Sequence, residues 1–257
     1  MENNILYNED WAKVIQTIPD NYFNLVILDP PYFQILKEKW DNQWKTEEEY
    51  FLWVEFLLSE VYRVTKQDGT VYIWNWFDKI FDIGVIAKRQ KYNIRNLITW
   101  NRGGGRETNN WSSAKEELLY LTIDKKNFWF NLEDILISLD DPSRKMKKDS
   151  WKRLEYKNKY RKSLEDNLVN PSNVWFDSIV HPLSPEKVDF PCQKPLSVCD
   201  RIIKASSNKN DIVFIPFAGS GSEIVSCINN ERQWIATETN ENYCGLIKER
   251  IEKNEKI

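Results

Sequence analysis

The sequence has few of the side chains on which many metal and hydrolytic sites are built. Histidine occurs once, at His181, and the four cysteines are Cys192, Cys199, Cys227 and Cys244. A single histidine argues against a His-rich metal site and against a Ser-His-Asp triad. The cysteine spacings fit no paired-ligand zinc pattern. We therefore predict no metal site, reduced and partly buried thiols, and a surface or loop position for His181.

Long apolar segments are also absent from the sequence. No run approaches the roughly 18–20 apolar residues of a membrane span, and the opening MENNILYNED has no basic start of a signal peptide. We therefore expect a cytoplasmic protein. The 257 residues suffice for one large domain or two small ones, and a hydrophobic content of 41% excludes wholesale disorder.

Strand and helix patterns alternate along the chain, with an interruption in the middle. Strands are predicted at residues 5–7, 24–28, 70–74, 94–100, 116–122, 211–215 and 233–237. Helices are predicted at residues 10–18, 47–66, 77–90, 196–206, 222–229 and 242–252, and Asp68-Gly69 is expected to end the second. This alternation predicts an α/β fold with a mainly parallel sheet.

The net charge of −3 by itself argues against a nucleic-acid-binding protein, but the charge is unevenly distributed. Residues 143–162 hold ten Lys or Arg against Asp149 and Glu155, which makes this segment +8 and leaves −11 on the rest. Aromatic side chains interleave with these cations. The segment is either a solvated face or a surface for nucleic acid, where Lys and Arg on phosphates would dominate the affinity.

A glycine-rich turn follows the predicted strand that ends at Ile215. It reads Phe217-Ala-Gly-Ser-Gly221, and a helix begins at Ser222. Such a turn brings backbone N–H groups close to a ligand at a sheet edge. Glu238 lies at the end of the next strand, near the roughly 20-residue offset at which an acid reaches ribose hydroxyls. No Lys follows the second glycine and the dinucleotide spacing is incomplete, so a nucleoside without a pyrophosphate fits better.

Asp29-Pro30-Pro31-Tyr32 comes directly after a buried strand. The prolines fix φ, so the Asp29 side chain and the Pro30 carbonyl can present two rigid acceptors, with the flat ring of Tyr32 beside them. This set suits a heteroaromatic amine whose lone pair is delocalised into its ring. Two acceptors on its N–H bonds localise the lone pair and stabilise the charge that develops during attack, so no covalent intermediate is needed.

With these motifs, the sequence resembles the S-adenosylmethionine-dependent DNA methyltransferases that make N6-methyladenine. Asp-Pro-Pro-Tyr is that family's catalytic motif and Phe-Ala-Gly-Ser-Gly its cofactor loop. Further matches are Lys39-Trp40-Asp41, the strand pair at 98–101 and 115–120, Asn173-Val-Trp175 and Gln193-Lys-Pro195. The catalytic motif precedes the cofactor loop, which is similar to the β-group order.

The resemblance implies a Rossmann-like methyltransferase fold, with a mostly parallel twisted sheet, helices on both faces and a small recognition insertion. Residues 1–122 would form the catalytic half, residues 123–175 the DNA target-recognition insertion and residues 176–257 the cofactor-binding half. The implied cofactor is S-adenosylmethionine. The implied partner is duplex DNA, with a cognate restriction endonuclease and a monomeric or homodimeric state left open.

The resemblance and the motifs together give three sets of candidate residues. The catalytic set is Asp29, Pro30, Pro31 and Tyr32. The cofactor-binding set is Asp10, Trp11, Asp29, Lys194, Phe217, Ala218, Gly219, Ser220, Gly221, Ser222, Glu238 and Thr239. The DNA-binding set is Arg102, Arg106, Asn109, Arg144, Lys145, Lys147, Lys148, Lys152 and Arg153, with Asn110 as a further candidate beside Asn109.

The sequence departs from the family pattern at the cofactor side. Ile215 stands where the family usually has Asp, which helps to hold the methionine end of the cofactor. Ser222 replaces a Thr, and residues 190–195 read Phe-Pro-Cys-Gln-Lys-Pro in place of His-Pro-Thr-Gln-Lys-Pro. Three alternatives stay open: N4-cytosine methylation, a DNA-binding relative whose catalysis is impaired by Ile215, and RNA methylation.

Overall fold

A mostly parallel sheet forms the centre of the chain in the computed structural model, which describes residues 2–104, 109, 111–138 and 168–254. The strands are β1 (Ile5–Tyr7), β2 (Phe23–Leu28), β3 (Thr65–Asn75), β4 (Asn93–Asn101), β5 (Lys115–Thr122), β6 (Ile137–Ser138), β7 (Leu168–Val169), β8 (Val174–Trp175), β9 (Ile212–Ile215) and β10 (Gln233–Thr237). The helices are α1 (Trp11–Ile15), α2 (Glu47–Val64), α3 (Ile80–Arg89), α4 (Leu196–Ser206), α5 (Ser222–Asn229) and α6 (Glu241–Asn254), with short 3-10 turns at Lys39–Asp41 and Glu133–Ile135.

The strand order of the main sheet is β1-β10-β9-β2-β3-β5-β4-β8. Neighbours from β1 to β3 are parallel, as are β4 and β8, whereas β5 is antiparallel to both β3 and β4. The predicted Rossmann-like, mostly parallel architecture is confirmed.

Two apolar layers cover the two faces of this sheet. Along β2, the side chains of Val26 and Leu28 join the layer formed with α1, α2 and α3. Leu25 and Ile27 point the other way and pack with α4, α5 and α6. Alternation of this kind buries a strand on both faces, which explains why β2 reads as a continuous apolar run.

The junction between α2 and β3 differs from the prediction. Asp68-Gly69 lies inside the strand, which begins at Thr65 immediately after the helix. The register shifts between Phe23 and Leu25, opposite this stretch, as at a β-bulge. A Cβ on Gly69 would lie 2.6 Å from the Thr65 side chain, so the glycine serves close packing at the bulge and not helix termination.

A second, two-stranded sheet interrupts the chain between β5 and β8. Strands β6 and β7 are antiparallel, with Ile137 opposite Val169 and Ser138 opposite Leu168. The basic segment 143–162 lies between them and is outside the described residues. None of the helices in the described part of the chain is both long and apolar enough to cross a membrane.

Candidate active site

Three parallel strands end at one edge of the sheet and bring the two predicted motifs together. Asp29 follows β2, Pro216 follows β9 and Glu238 follows β10. Because β5 is antiparallel to its neighbours, Glu116 near its start reaches the same edge. A cavity of about 290 Å³ opens there. Crevices outside the carboxyl ends of parallel strands are where open α/β sheets bind ligands.

Most of the predicted catalytic and cofactor residues line this cavity. They are Asp10, Trp11, Asp29, Pro30, Pro31, Tyr32, Lys194, Phe217, Ala218, Gly219, Ser220, Glu238 and Thr239. Gly221 and Ser222 are buried and do not line the cavity. The Ser222 hydroxyl is buried and donates to the Lys194 carbonyl at 2.7 Å, so it supports the cavity from outside.

A four-residue charge cluster forms the floor of the cavity around Asp29. One Asp29 carboxylate oxygen accepts from the Tyr32 hydroxyl at 2.7 Å and the other from Lys194 Nζ at 2.7 Å. Glu116 completes the cluster, 3.2 Å from Lys194 Nζ and 3.3 Å from the Tyr32 oxygen. Lys194 is predicted to hold the cofactor, but here its ammonium balances two carboxylates.

Burial and charge act against each other on Lys194. Its side chain is 3% exposed, and burial alone would lower its pKa. The carboxylates of Asp29 and Glu116 outweigh this effect and hold the pKa of Lys194 above its ordinary value. Burial, followed by the same two carboxylates, raises the pKa of Tyr32 well above its usual range. The lysine is therefore a fixed cation and the tyrosine a fixed hydrogen-bond donor at neutral pH.

Asp41 holds the loop that follows the catalytic motif. It is 1% exposed, and its carboxylate accepts from the backbone N–H groups of Tyr32, Ile35 and Leu36 at 2.6–2.7 Å. Phe33, within this loop, has a left-handed backbone with φ 62°. A buried carboxylate with three backbone donors can stabilise such a conformation. The sequence places Asp41 in a family motif but does not show this role.

The glycine loop and Glu238 are joined directly. The Gly219 N–H donates to one Glu238 carboxylate oxygen at 3.0 Å, and the Asn240 N–H donates to the other at 2.8 Å. Burial raises the pKa of Glu238, and backbone hydrogen bonds oppose that shift. Both oxygens are thus oriented at the rim of the cavity, and each keeps a lone pair for a hydroxyl group.

An aromatic wall stands beside the Glu238 carboxylate. The ring centroids of Trp11, Trp53 and Phe217 lie 5.9–6.2 Å from one another. Asp10 caps α1 through one carboxylate oxygen, which accepts from the Ala12 N–H at 2.7 Å. Flat rings next to an oriented carboxylate suit a nucleoside, with its base on the rings and its ribose on the acid. The residues present therefore fit S-adenosylmethionine.

Gly219 is the position in the loop that has the least room for a side chain. Its φ is 49°, and a Cβ there would lie 2.7 Å from the Phe190 ring. We expect Gly219→Ala to lower the free energy of unfolding by about 1–2 kcal/mol, the cost of a left-handed residue with a Cβ, and to weaken cofactor binding. Thermal unfolding and cofactor titration measure both effects.

Gly245→Ala is the matched control for that variant. Gly245 lies within α6, where a Cβ meets no atom within 4 Å, and Ala is the better helix former by about 1 kcal/mol. We expect this control to be as stable as the wild type or more so. Equal unfolding temperatures and equal cofactor affinities for Gly219→Ala and wild type would contradict the assigned role of the loop.

The structure describes only two of the residues predicted to contact DNA, Arg102 and Asn109. Arg102 lines the cavity, where its guanidinium lies 3.4 Å from Glu116 and 5.4 Å from the ring centroid of Trp76. Asn109 is exposed. The remaining candidates lie outside the described residues, namely Arg106, Asn110, Arg144, Lys145, Lys147, Lys148, Lys152 and Arg153. His181 is exposed in a loop, as expected.

The lining residues that the prediction missed include Glu116, Glu223, Trp53 and Trp76. Glu116 lies in a recognised strand motif, but its contact with Asp29 and Lys194 depends on the antiparallel direction of β5, which the sequence does not reveal. Trp53 belongs to a helix whose apolar pattern indicates only core packing. Ile215 is 1% exposed among apolar side chains, so it adds no charge to the site.

The fold and this edge of the sheet define the class of protein, a Rossmann-like methyltransferase. The chain belongs to the N6/N4 family of DNA methylases, which it matches over residues 23–249. The predicted family and the enzyme class, a DNA methyltransferase, are confirmed.

Individual relatives agree with this family. The chain is 30% identical to the Type II methyltransferase M.HpaI of Haemophilus parainfluenzae over 250 residues, or 93% of this chain and 71% of that protein. It is also 30% identical to the DNA adenine methyltransferase YhdJ of Escherichia coli strain K12 over 259 residues, or 98% and 83% of the two chains.

Two solved structures share the fold at lower sequence identity. The complex of M1.HpyAVI with SAM has a TM-score of 0.64 at 20% identity, with coverage of 96% of this chain and 98% of that one. The cytosine-N4-specific PvuII DNA methyltransferase has a TM-score of 0.73 at 14% identity, with coverage of 97% and 86%. At these identities the likeness concerns the fold alone.

Proposed function

We propose that this DNA methyltransferase transfers a methyl group from S-adenosylmethionine to N6 of adenine at specific sites in duplex DNA. The observation that carries the proposal is the position of Asp29, whose carboxylate lies on the floor of the cavity that the glycine loop and Glu238 also line. The name of YhdJ as a DNA adenine methyltransferase supports adenine as the base. A cytoplasmic location, where DNA and cofactor meet, belongs to the same proposal.

The base must leave the DNA stack to reach this cavity. Asp29 and the Pro30 carbonyl would then accept the two amino hydrogens and stabilise the positive charge that develops on nitrogen. Each Asp29 oxygen accepts one hydrogen bond and keeps a lone pair for the amino group of the base. The Tyr32 hydroxyl also has a second acceptor in Glu116 at 3.3 Å, so it can leave Asp29 when the base enters. Its ring remains available to stack on the base.

The cofactor residues divide into three groups along the cavity. Glu238 and Thr239 would bind the ribose, Asp10 and Trp11 would enclose the adenine, and the loop from Phe217 to Ser220 would line the methionine side, with Gly221 behind it. The cofactor supplies an electrophilic methyl group on a positively charged sulfur. The protein needs no general base at the attack, because the proton leaves the nitrogen after the transfer.

Incubation with labelled cofactor and mixed-sequence duplex DNA tests the proposal. We expect label in N6-methyladenine after hydrolysis of the product. Label in N4-methylcytosine would favour the cytosine alternative, and competition by RNA would favour an RNA substrate. Cofactor binding without any transfer, together with retained DNA binding, would favour a relative that has lost catalysis. Sedimentation with and without DNA distinguishes a monomer from a homodimer.

We further propose that the insertion at 123–175, through its basic segment, contacts the DNA backbone. Replacing four of its cations by Ala is expected to make the dependence of log K on log salt shallower by about 0.9 for each phosphate that the variant no longer neutralises. The four are Lys147, Lys148, Lys152 and Arg153. Fluorescence anisotropy with labelled duplex over a range of salt concentrations measures the slope.

The control for this experiment removes four positive charges from exposed positions outside the basic segment. It replaces Lys13, Lys209, Lys248 and Lys253 by Ala, all of them exposed. Their removal is expected to leave the slope nearly unchanged. If both fourfold variants change the slope equally, the basic segment acts only through net charge and not as a contact surface.

A further inference from the structure

Glu223 is a buried acid of the cavity that the mechanism above does not use. It is the second residue of α5, directly behind the glycine loop, and is 5% exposed while lining the cavity. Its electrostatic neighbours include Asp29 and Lys194, which places it near the catalytic cluster. A buried carboxylate is costly unless a cation, hydrogen-bond donors or a proton compensates its charge.

Acids outnumber cations in the part of the cavity lining that the structure describes. This lining contains six acids, Asp10, Asp29, Asp41, Glu116, Glu223 and Glu238, and two cations, Arg102 and Lys194. Lys194 pairs with Asp29 and Glu116, and Arg102 with Glu116. No ion pair to Glu223 occurs within residues 2–104, 109, 111–138 and 168–254. Arg250 uses one guanidinium nitrogen on the Ser220 carbonyl and the Ser222 hydroxyl instead.

Opposing effects bring the pKa of Glu223 close to neutral pH. Burial, followed by the charge of Asp29, raises its pKa to about 7, against the effects of its own backbone N–H, Lys194 and Arg250. The nearby thiols of Cys199 and Cys227 stay neutral, because burial raises the pKa of each well above its usual value. Glu223 can therefore exchange a proton near neutral pH in the ligand-free protein.

We infer that Glu223 binds the α-ammonium group of the cofactor's methionine portion and releases its proton to solvent as the cofactor enters. The inference rests on the proposed function. A net acidic cavity favours a cationic ligand, and S-adenosylmethionine carries an ammonium and a sulfonium group. Ile215, at the end of β9, is apolar and buried, and Glu238 is assigned to the ribose, so Glu223 is the carboxylate beside the glycine loop that remains for the ammonium group.

Calorimetric titration in buffers of different ionisation enthalpy counts the released protons. At pH 7, wild type is expected to release a measurable fraction of a proton for each S-adenosylmethionine bound. S-adenosylhomocysteine also carries the ammonium and should release the same fraction, whereas its deaminated analogue should release none. Glu223→Gln should release none with any ligand and bind S-adenosylmethionine about tenfold or more weakly, as expected when a hydrogen bond between charged groups is removed.

Thermal unfolding without ligand shows whether the variant folds. Because the pKa of Glu223 is raised on folding, wild type is expected to lose stability as the pH rises from about 5 to 8. Glu223→Gln should lack this loss, while the exposed control Glu231→Gln should behave as wild type. Glu231 lies outside the cavity, in an exposed ion pair with Lys209.

The outcomes separate the inference from the proposed function. If wild type binds S-adenosylmethionine without releasing a proton, or Glu223→Gln still releases one, the inference is wrong although the cofactor assignment holds. Release with S-adenosylmethionine but not with S-adenosylhomocysteine would also overturn it, in favour of contact with the sulfonium. If wild type binds neither ligand, the proposed function itself fails.

Discussion

Replacing Asp29 by Ala is expected to lower kcat for DNA methylation by at least about 10²–10³-fold, as for the loss of one preorganised transition-state acceptor. The Asp29 carboxylate is one of two acceptors that would localise the amine lone pair. It is fixed on one side by Tyr32 at 2.7 Å and on the other by Lys194 at 2.7 Å. Initial rates with labelled cofactor measure the loss.

Two further variants serve as comparisons for Asp29→Ala. Asp29→Asn keeps one carbonyl acceptor and should be less impaired than Asp29→Ala. Asp82→Asn changes an exposed acid of α3 and should leave the rate unchanged. If Asp29→Ala retains more than a tenth of the wild-type kcat, the chemistry does not depend on this carboxylate and the proposed mechanism is wrong.

Replacing Lys194 by Met is expected to destabilise the protein by about 3–5 kcal/mol, the range for breaking a buried ion pair from one side. The variant leaves Asp29 and Glu116 facing each other across the cluster without a cation. Urea unfolding measures the effect. Adding Glu116→Gln should recover part of the loss, because it removes one of the two like charges.

The pH dependence of that deficit follows from the raised pKa of Lys194. A base whose pKa rises on folding stabilises the native state fully below its ordinary pKa, and this contribution is lost only as the pH rises through the raised value. The deficit of Lys194→Met should therefore stay constant between pH 7 and 9. Lys209→Met removes a surface ion pair whose partners are each 65% exposed and should cost less than about 1 kcal/mol. A similar small cost at Lys194 would contradict its role.

The elements of the sheet could be predicted because their signals are local. The apolar run of β2 stops at Asp29-Pro30, and the glycine turn follows β9 within six residues, so each motif lies at a strand end in the sequence itself. The bounds of α4, α5 and β10 agree with the prediction to the residue. The prediction for Asp68-Gly69 was wrong, because a glycine in a bulge and a glycine after a helix look alike without the neighbouring strand.

The contacts within the charge cluster of the site could not be predicted from the sequence. Lys194 and Asp29 are 165 residues apart, and Tyr32 and Glu116 are 84 apart. Their contact depends on the strand order and on the direction of β5. Ionic partners also have no periodic pattern comparable to that of apolar side chains. Glu223 gives no sequence signal for a related reason, since an acid in the first turn of a helix is ordinary for helix formation.

The pairing of β6 with β7 has an evolutionary consequence. Ile137 opposite Val169 sets the two attachment points of residues 139–167 side by side on adjacent strands. A segment whose ends meet in this way can be lengthened, shortened or exchanged while the strands that carry Asp29, Glu116 and Glu238 keep their positions. On the proposal that the insertion at 123–175 is the DNA-recognition part, the choice of DNA target and the capacity for methyl transfer can be inherited separately, and a new specificity needs no new catalytic sheet.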